Sequence, residues 1–417
     1  MQYSFKVPQH IDTTIDLPAS KSISNRALVI YALSHGQTLP ENLSDCDDTE
    51  VIVRALRDMP DVIDIKAAGT AMRFMTAYLA VTEGEHVLTG TDRMKHRPIK
   101  VLVDALRQLG ADISYEENDG FPPLRIKGRQ LEGGHLEIEG SVSSQYISAL
   151  LMIGPMLKRG LELKLTGNIV SRPYIDLTLC TMRDFGAQVD WADIDMIKVE
   201  PQPYHDQAFF IENDWSASSY WYEIVALLND PESAIKLTNL MDGSHQGDSA
   251  IKYMFSLLGV KTEFATTRQG EPTEVSLYYH RSRLPRLDYD FVNQPDLAQT
   301  MVVTCVLLGI PFRFTGLGSL KIKETDRIEA LKVELRKLGY VVHDRNDNEI
   351  FWDGERCDAE DTPVIDTYED HRMAMAFAPA AFKFPNLRIN HPEVVSKSYP
   401  HFWRDLCKAG FEIEQHD

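Results

Sequence analysis

The chain has 417 residues, of which 43% are hydrophobic and 25% are charged, and its formal net charge at pH 7 is −19. A chain of this length is too long for one small core and predicts two domains of about 200 residues each. The acidic charge argues against a nucleic-acid or anionic-membrane surface, and no apolar run reaches the ~20 residues that a membrane span needs.

The opening segment and the cysteines bear on where the protein works. The segment MQYSFKVPQHIDTT has no basic stretch followed by an apolar core, so we expect no signal peptide. The five cysteines are scattered without a C-x-x-C pair, and the Cys/His spacing typical of zinc sites is absent. We therefore expect a reduced, cytoplasmic protein that holds no metal.

The first predicted helix follows a segment dense in hydroxyl groups and cations. Residues 17–33 read LPASKSISNRALVIYAL, in which three serines, Lys21 and Arg26 precede or open an apolar helical run. Serines in this position are typical of N-caps, and a helix N-terminus offers unpaired N–H donors and a partial positive charge. Together with the two cations they favour a site for a small anion. The alternative is a capped helix with solvated charges.

The next two polar segments are weaker signals. AAGTAMRFM, residues 67–75, is a small-residue turn before a helix, where Gly69 permits close backbone approach. TDRMKHRPI, residues 91–99, gathers four basic side chains, Arg93, Lys95, His96 and Arg97. In an acidic chain a cluster of basic side chains is unusual and favours an anion-binding role. A solvated loop explains the cluster equally well.

Two further helix starts repeat the first theme. GSVSSQYISALLM, residues 140–152, places serines and Gln145 before an apolar helix, and NIVSRPYIDLTL, residues 168–179, does the same with Ser171. Several donor-rich helix starts would fit several anionic groups that converge on one cleft.

The C-terminal half carries two charged helix starts. In LKIKETDRIEALKVEL, residues 320–335, Lys323 and Arg327 are spaced i, i+4 on one helix face beside Glu324. A surface helix with salt bridges is the ordinary interpretation, because Glu324 would need burial or a bound anion to act as a proton carrier. YEDHRMAMAFAP, residues 368–379, opens a Met/Ala-rich helix whose apolar stripe is typical of a core.

A repeat runs through the helix ends. Five helical patterns end in a glycine followed by a strand-like segment, at Gly110, Gly186, Gly259, Gly339 and Gly410, roughly 75 residues apart. A sixth, imperfect helix end near Pro60 lies only 50 residues before Gly110, so the first spacing is roughly 25 residues shorter than this period. The spacing predicts six copies of one α/β unit, with a short first copy and a domain boundary near residues 211–218.

The motifs SKSISNR, AGTAMR, RMKHRPI, GSVSSQ, SRPYID, HQGD, KETDRI and DHRMAM occur in this order. Together they resemble the 5-enolpyruvylshikimate-3-phosphate synthase family over residues 17–400. The resemblance implies a two-domain inside-out α/β barrel of six βαβαββ-like units, three per domain, with helix N-termini at an interdomain cleft. We expect one domain to comprise residues 1–20 and 214–417, and the other residues 21–213 with the truncated unit.

The resemblance also implies an activity. The family transfers the enolpyruvyl group of phosphoenolpyruvate to the 5-hydroxyl of shikimate 3-phosphate and releases phosphate, by addition and elimination through a tetrahedral intermediate. It uses no metal or organic cofactor. The implied partners are these two small molecules, with no nucleic acid and no membrane, and we expect a monomer.

Site residues follow by matching the family's motifs. The catalytic matches are Lys21, Asp296, Glu324 and His371, with Asp296 as the base and Glu324 as the proton carrier at the methylene carbon. The matches for shikimate 3-phosphate are Lys21, Ser22, Arg26, Ser143, Ser144, Gln145, Ser171, Asp296 and Lys323, with Arg26 on the carboxylate. The matches for phosphoenolpyruvate are Lys21, Gly69, Arg97, Gln145, Arg327, Arg372 and Lys397.

Some positions depart from the family pattern, and two other functions stay open. Ala67, Phe74 and Ser319 stand where the family usually has Asn, Pro and Asn. The sister enzyme that acts on UDP-N-acetylglucosamine usually carries a cysteine in the loop that here spans residues 91–99, and this loop has none. A non-catalytic paralogue that binds anions is the other alternative.

Overall fold

In the computed structural model, which describes residues 1–266, 268 and 270–416, the chain divides into two units. The discontinuous unit comprises Met1–Pro18 and Glu212–Asp417, and the inserted unit comprises Ala19–Ile211. These bounds lie within two residues of the ones expected above. Of the helices in the described part, none is long and apolar enough to cross a bilayer.

The helices and strands alternate along most of the chain. The helices are α1 (Lys21–Leu33), α2 (Asp47–Asp58), α3 (Gly69–Val81), α4 (Asp92–Lys95), α5 (Lys100–Gln108), α6 (Ser144–Ile153), α7 (Arg172–Asp184), α8 (Trp215–Leu228), α9 (Ile251–Leu258), α10 (Ala298–Leu308), α11 (Arg327–Lys337), α12 (His371–Phe377) and α13 (Phe402–Lys408). The strands are β1 (Gln2–Lys6), β2 (Asp12–Ile15), β3 (Val62–Asp64), β4 (Gly84–Thr89), β5 (Asp112–Tyr115), β6 (Leu124–Gly128), β7 (Gly134–Glu139), β8 (Leu161–Thr166), β9 (Val189–Asp193), β10 (Met196–Val199), β11 (Ala234–Met241), β12 (Val260–Phe264), β13 (Pro272–Tyr279), β14 (Leu287–Asp290), β15 (Phe312–Thr315), β16 (His343–Arg345), β17 (Glu349–Trp352), β18 (Val364–Ile365), β19 (Arg388–Asn390) and β20 (Glu412–His416).

Five four-stranded sheets share one topology. Their strand orders are β3-β4-β6-β5, β7-β8-β10-β9, β2-β11-β13-β12, β14-β15-β17-β16 and β18-β19-β1-β20. In each sheet the first two strands are parallel, as a strand–helix–strand crossover requires, and the other pairings are antiparallel. The predicted βαβαββ repeat is therefore confirmed in five copies.

The two N-terminal strands explain why one unit is discontinuous. Strand β1 lies between β19 and β20, where Tyr3 pairs with Ile389 on one side and Gln415 on the other. Strand β2 forms the parallel edge next to β11, with Thr13 opposite Ile235. Both strands thus complete sheets that consist otherwise of residues after Glu212.

The sixth copy has kept its helices and lost its sheet. Helices α1 and α2 are present, but α2 is followed at once by β3, with no antiparallel hairpin between them in this described stretch. A single parallel bridge joins Glu41 to Phe210 where the other copies pair two strands. The shortening inferred from the spacing has therefore removed strands and no helix.

The helix-end glycines adopt the conformation that their position predicts. Gly110, Gly186, Gly259, Gly339 and Gly410 all have φ between 84° and 104°. This left-handed backbone favours glycine because it has no Cβ. At the end of α2 the same role falls to Met59, at φ 37° and ψ 54°.

Within each unit the helices form the interior and the sheets the outside. Every residue of α10 except Leu308 is buried, and α3 and α8 are buried almost throughout. Strands such as β6 and β8 instead bury alternate residues, so that one face of each sheet covers the helices. The apolar helical runs in the sequence are thus central helices.

One buried acid lies in the helical core of the discontinuous unit. Ser219 Oγ of α8 lies 3.3 Å from Thr300 Oγ1 of α10, which marks a polar stripe between the two helices. Glu223, one turn further along α8, is fully buried, and neither carboxyl oxygen has a hydrogen-bond partner. Burial raises the pKa of Glu223 well above its ordinary value, so folding favours the protonated form of this side chain.

We expect Glu223→Gln to stabilise the protein by about 2 kcal/mol at pH 8 and to have little effect near pH 4. An acid whose pKa is raised by folding loses stability as pH rises above its unfolded pKa, and the amide removes this loss without changing the shape of the side chain. Denaturant unfolding at the two pH values measures the difference. The exposed Glu232→Gln serves as the control, and a stabilisation that does not depend on pH would contradict the explanation.

Candidate functional site

The N-terminus of α1 carries the first predicted cation of the inserted unit. Ser20 is the N-cap residue and accepts the backbone N–H of Ile23. Lys21 Nζ lies 3.0 Å from Oδ2 of Asp48, with 16% of the lysine side chain and 6% of the aspartate side chain exposed. This largely buried pair holds the ammonium group in a defined place.

Arg26 lies one turn after Ser22 and is 3% exposed. Its Nε donates to Thr178 Oγ1 at 2.7 Å, its Nη1 to the carbonyl of Ser22 at 2.8 Å, and its Nη2 to Ser148 Oγ and the carbonyl of Tyr174, both at 3.2 Å. Neutral oxygens thus accept four of the five guanidinium N–H groups and fix the plane of the guanidinium.

No carboxylate neutralises Arg26 within the described part of the chain. Burial lowers the pKa of Arg26 to about 10, which still leaves the side chain charged at neutral pH. The ring of Phe74, the residue that replaces the expected proline, lies 5.4 Å from the guanidinium carbon. Because a buried cation without an anion is unfavourable, this position favours a ligand with a negative charge.

The N-termini of α6 and α3 are joined by a side-chain hydrogen bond. Ser143 is the N-cap of α6 and accepts the backbone N–H of Gln145, and Ser144 opens the helix. Gln145 Nε2 donates to Thr70 Oγ1 at 2.9 Å, and Thr70 is the second residue of α3. Two of the donor-rich helix starts predicted from the sequence therefore lie side by side.

Gly69 gives two arginines room at the start of α3. A Cβ added at this position would lie 2.6 Å from Arg97 Nη1 and 2.9 Å from Arg73 Nη1. Arg73 Nη1 also donates to the Gly69 carbonyl at 2.9 Å. The absence of a side chain, as expected from the motif, is thus what lets the Arg97 guanidinium reach the backbone.

The start of α7 completes the inserted unit's cluster. Ser171 is the N-cap residue, is 8% exposed and has a left-handed backbone with φ 54°. Tyr174, in the first turn of α7, supplies one of the carbonyls that hold Arg26. The structure therefore brings the first turn of α7, which Ser171 caps, into contact with Arg26 of α1.

In the discontinuous unit, Arg327 binds three carboxylates. Its Nε lies 2.6 Å from Asp370 Oδ2, its Nη1 3.1 Å from Asp296 Oδ1, and its Nη2 2.9 Å from Glu324 Oε2. Arg327 is 1% exposed. Burial alone would lower the pKa of Arg327, but the three carboxylates hold it above its ordinary value.

Asp296 in turn contacts three cations. Besides Arg327, Lys323 Nζ lies 3.4 Å from its Oδ1 and Arg372 Nη2 3.1 Å from its Oδ2. Burial alone would raise the pKa of Asp296, but Arg372, Lys323 and Arg327 together hold it far below its ordinary value. Asp296 is therefore ionised and loses proton affinity for as long as these cations face it.

Glu324 lies between two cations rather than on an open surface. Its Oε2 contacts Arg327, and its Oε1 lies 3.1 Å from Lys397 Nζ, with 14% of the glutamate side chain exposed. The surface salt-bridge interpretation of this helix start is therefore wrong for Glu324. The structure also brings Lys397, from the C-terminal part of the chain, to the same carboxylate.

Helix α12 presents the remaining predicted residues. Asp370 is its N-cap and accepts the backbone N–H of Arg372 at 2.9 Å. His371 is 2% exposed, and its Nδ1 lies 3.7 Å from Asp370 Oδ1. Because Asp370 also binds Arg327, one carboxylate contacts the side chains of Arg327 and His371 and the backbone N–H of Arg372.

Sequence reasoning missed several members of the two clusters, namely Asp48, Ser148, Thr178, Asp248 and Asp370. Asp48 and Asp370 lie at the N-termini of helices. An acidic residue at that position is typical of ordinary capping, so neither residue stood out in the sequence. Asp248 belongs to the quoted HQGD motif but had no assigned role. Burial and the charge of Asp296 raise the pKa of Asp248 to about 6.

The two clusters differ in chemistry. The inserted unit offers buried cations and N–H donors, which suit anion binding. The discontinuous unit offers carboxylates held by cations, which suit proton transfer beside an anion. Across the described residues no group of three or more His, Cys, Asp or Glu side chains could hold a metal ion.

Comparisons with known proteins match nearly the whole chain. The family model described as EPSP synthase (3-phosphoshikimate 1-carboxyvinyltransferase) matches residues 5–61 and 58–406. A 3-phosphoshikimate 1-carboxyvinyltransferase from Bacteroides fragilis is 60% identical over 414 residues, 99% of each chain, and one from Shewanella halifaxensis is 35% identical, with 95% and 96% covered. An EPSP synthase structure from Acinetobacter baumannii superposes with a TM-score of 0.78 at 21% identity, covering 99% of this chain and 100% of that one.

Proposed function

Because the chain belongs to the EPSP synthase family, the 3-phosphoshikimate 1-carboxyvinyltransferases, we propose that its two charge clusters divide the work of one transfer reaction. The chain is a transferase of the shikimate pathway, which leads to the aromatic amino acids, and its substrates are shikimate 3-phosphate and phosphoenolpyruvate. What remains to be assigned is the part that each residue takes.

The cluster of the inserted unit binds shikimate 3-phosphate. Arg26 and Ser22 hold its carboxylate, and the helix starts with Ser143, Ser144 and Ser171 hold its 3-phosphate through hydroxyl and backbone N–H groups. The single observation that carries this assignment is the buried guanidinium of Arg26, which has hydrogen bonds to neutral oxygens and no neighbouring carboxylate in the described part of the chain.

A second set of groups binds phosphoenolpyruvate. It comprises Lys21, Gly69, Arg97 and Gln145 in the inserted unit and Arg327, Arg372 and Lys397 in the discontinuous unit. The support is chemical, since phosphate and carboxylate both prefer guanidinium and ammonium partners. Lys323 adds a cation for shikimate 3-phosphate.

The carboxylates of the discontinuous unit move the protons. In the addition step the 5-hydroxyl oxygen bonds to C2 of phosphoenolpyruvate, its proton goes to Asp296, and Glu324 gives a proton to C3, which becomes a methyl group. In the elimination step Glu324 takes a proton back from that methyl group, the C2–O bond to phosphate breaks, and the proton held by Asp296 passes to the departing phosphate. Both carboxyl groups thereby return to their starting states. His371, held beside Asp370, orients this set.

Substrate binding makes these proton transfers feasible. In the described structure Asp296 contacts three cations and Glu324 two, which disfavours their protonation. Anionic substrates draw on the same cations, so the pKa of Asp296 rises when the substrates bind and Glu324 loses part of the positive charge beside it. Each group then reaches a proton affinity that general acid–base catalysis can use.

We expect the purified protein to release inorganic phosphate from phosphoenolpyruvate when shikimate 3-phosphate is present, with no metal added and with a chelator present. A phosphate assay measures the rate of release. In the same assay Arg26→Met should raise the KM for shikimate 3-phosphate by about 100-fold, because the variant lacks the guanidinium that binds the carboxylate. Release with UDP-N-acetylglucosamine as acceptor, or no release with either acceptor, would contradict the proposal.

A further inference from the structure

The turn between β18 and α12 has a strained backbone. Tyr368 and Glu369 are consecutive residues with φ values of 54° and 57°. These values lie in the left-handed region, which residues other than glycine and asparagine rarely adopt. Two such residues in a row persist only when their surroundings hold them. The turn leads directly into Asp370, the N-cap of α12.

A buried glutamate of α11 holds the first part of this turn. Glu334 is fully buried. Its Oε1 accepts the Tyr368 hydroxyl at 2.6 Å, and its Oε2 accepts the backbone N–H of Asp366 at 3.0 Å and lies 2.8 Å from Lys337 Nζ. A carboxylate that is buried and fully bonded is a rigid support.

The same helix holds the second part of the turn. Arg327, the first residue of α11, binds Asp370 at 2.6 Å. Arg327 and Glu334 are seven residues apart, which is two helical turns, so they lie on one face of α11. Side chains of helix α11 therefore bind the strained turn on both sides of Tyr368 and Glu369.

The conformation of this turn determines the orientation of the Arg372 side chain. The Arg372 N–H is bound by Asp370, and Arg372 Nη2 lies 3.1 Å from Asp296. If residues 368 and 369 relaxed to right-handed or extended backbone, α12 would start at a different angle and Arg372 would leave Asp296. The strain is thus located where a small backbone change moves a side chain that contacts the proposed base.

We propose that Glu334 and Tyr368 are positioning residues that lock this turn and so fix Arg372 in the orientation that binds phosphoenolpyruvate. The proposal rests on the role of Arg372 in phosphoenolpyruvate binding given above. Neither Glu334 nor Tyr368 needs to touch a substrate, because both act through the backbone of residues 366–370.

The test compares the two Michaelis constants. Tyr368→Phe removes only the hydroxyl group, and Glu334→Gln keeps the shape but removes the charge. Each is expected to raise the KM for phosphoenolpyruvate by ~10-fold and to leave the KM for shikimate 3-phosphate within twofold. The double variant should equal the larger single effect, since both changes weaken the same contact between Tyr368 and Glu334. Lys332→Met, which breaks an ion pair elsewhere on α11, is the control and should change neither constant.

A rescue experiment separates positioning from general stability. Asparagine tolerates the left-handed region, so Glu369→Asn in the Tyr368→Phe background should recover at least part of the lost phosphoenolpyruvate affinity. A purely structural role would instead raise both Michaelis constants together with a lower Tm, and that result would overturn the proposal. If Tyr368→Phe does not fold, Glu334→Gln carries the same test.

Arg372→Lys distinguishes failure of this inference from failure of the proposed function. If Arg372→Lys leaves the KM for phosphoenolpyruvate unchanged, the assignment of Arg372 is wrong. If Arg372→Lys raises that KM but Tyr368→Phe and Glu334→Gln do not, the assignment stands and the positioning inference is overturned.

Discussion

Glu324→Gln is expected to lower kcat by about 10²–10⁴-fold while shikimate 3-phosphate binds with nearly unchanged affinity. The amide keeps the shape of the side chain and can still accept from Arg327 or Lys397, which contact the two carboxylate oxygens in the wild type. It cannot give a proton to the methylene carbon or take one back. The loss should therefore appear in the chemical step and not in binding.

Three measurements test this expectation. Phosphate release gives kcat, and calorimetry gives the dissociation constant of shikimate 3-phosphate. In deuterated water the wild type should exchange the C3 hydrogens of phosphoenolpyruvate with solvent during turnover, and the variant should not. Glu329→Gln, an exposed glutamate in the first turn of α11, is the matched control. Normal turnover of Glu324→Gln would return Glu324 to the role of an ion-pair partner.

Arg327→Met is expected to give the largest loss of stability, about 3–5 kcal/mol. Arg327 is fully enclosed and binds Asp370, Asp296 and Glu324 at 2.6–3.1 Å. Methionine fills a similar volume but leaves these acids with less positive charge around them. The free energy of unfolding in urea at pH 7 measures the loss, and activity should vanish as well.

The pH dependence gives the sign of this effect. In the wild type the pKa of Asp296 lies below its ordinary value, so its contribution to stability is present above that value and is lost as pH falls. In Arg327→Met Asp296 loses one of the cations that lower its pKa, so its pKa rises and it resists ionisation. The deficit of the variant should therefore be largest at pH 7–8 and should shrink below about pH 4.

A second arginine provides the control for Arg327. Arg313 makes a bidentate pair with Glu349 on the surface, and 49% of its side chain is exposed. Arg313→Met should cost less than about 1 kcal/mol, because solvent screens such a pair. Equal losses for the two variants, or a deficit of Arg327→Met that does not change with pH, would contradict the account.

Much of the fold could be predicted because its signals are local. Glycine is favoured at a helix end by the left-handed backbone there, so the spacing of Gly110, Gly186, Gly259, Gly339 and Gly410 marks the repeat directly. Which elements the short first copy had lost could not be predicted in this way. Spacing counts missing residues, and only the structure shows that both helices remain and the hairpin is gone.

The site residues also differ in whether the sequence alone could predict them. Lys21, Arg26, Glu324 and Arg327 lie in dense polar motifs that stand out against an acidic chain, and the structure gathers each within its unit's cluster. Ser148 and Thr178 could not be predicted as partners of Arg26, because one hydroxyl group within an apolar helix looks like part of a core. The role of Ser148 and Thr178 depends on Arg26, which lies more than a hundred positions away in the sequence.

The position of β1 also constrains how this chain folds during synthesis. On the ribosome the inserted unit can complete its core once residue 211 has emerged, because all its sheets are made of earlier residues. Strand β1 is made first but has no neighbour until β19 and β20, near the end of the chain, are made. For most of translation it is an unpaired strand with two open edges, which is the kind of segment that chaperones shield from aggregation.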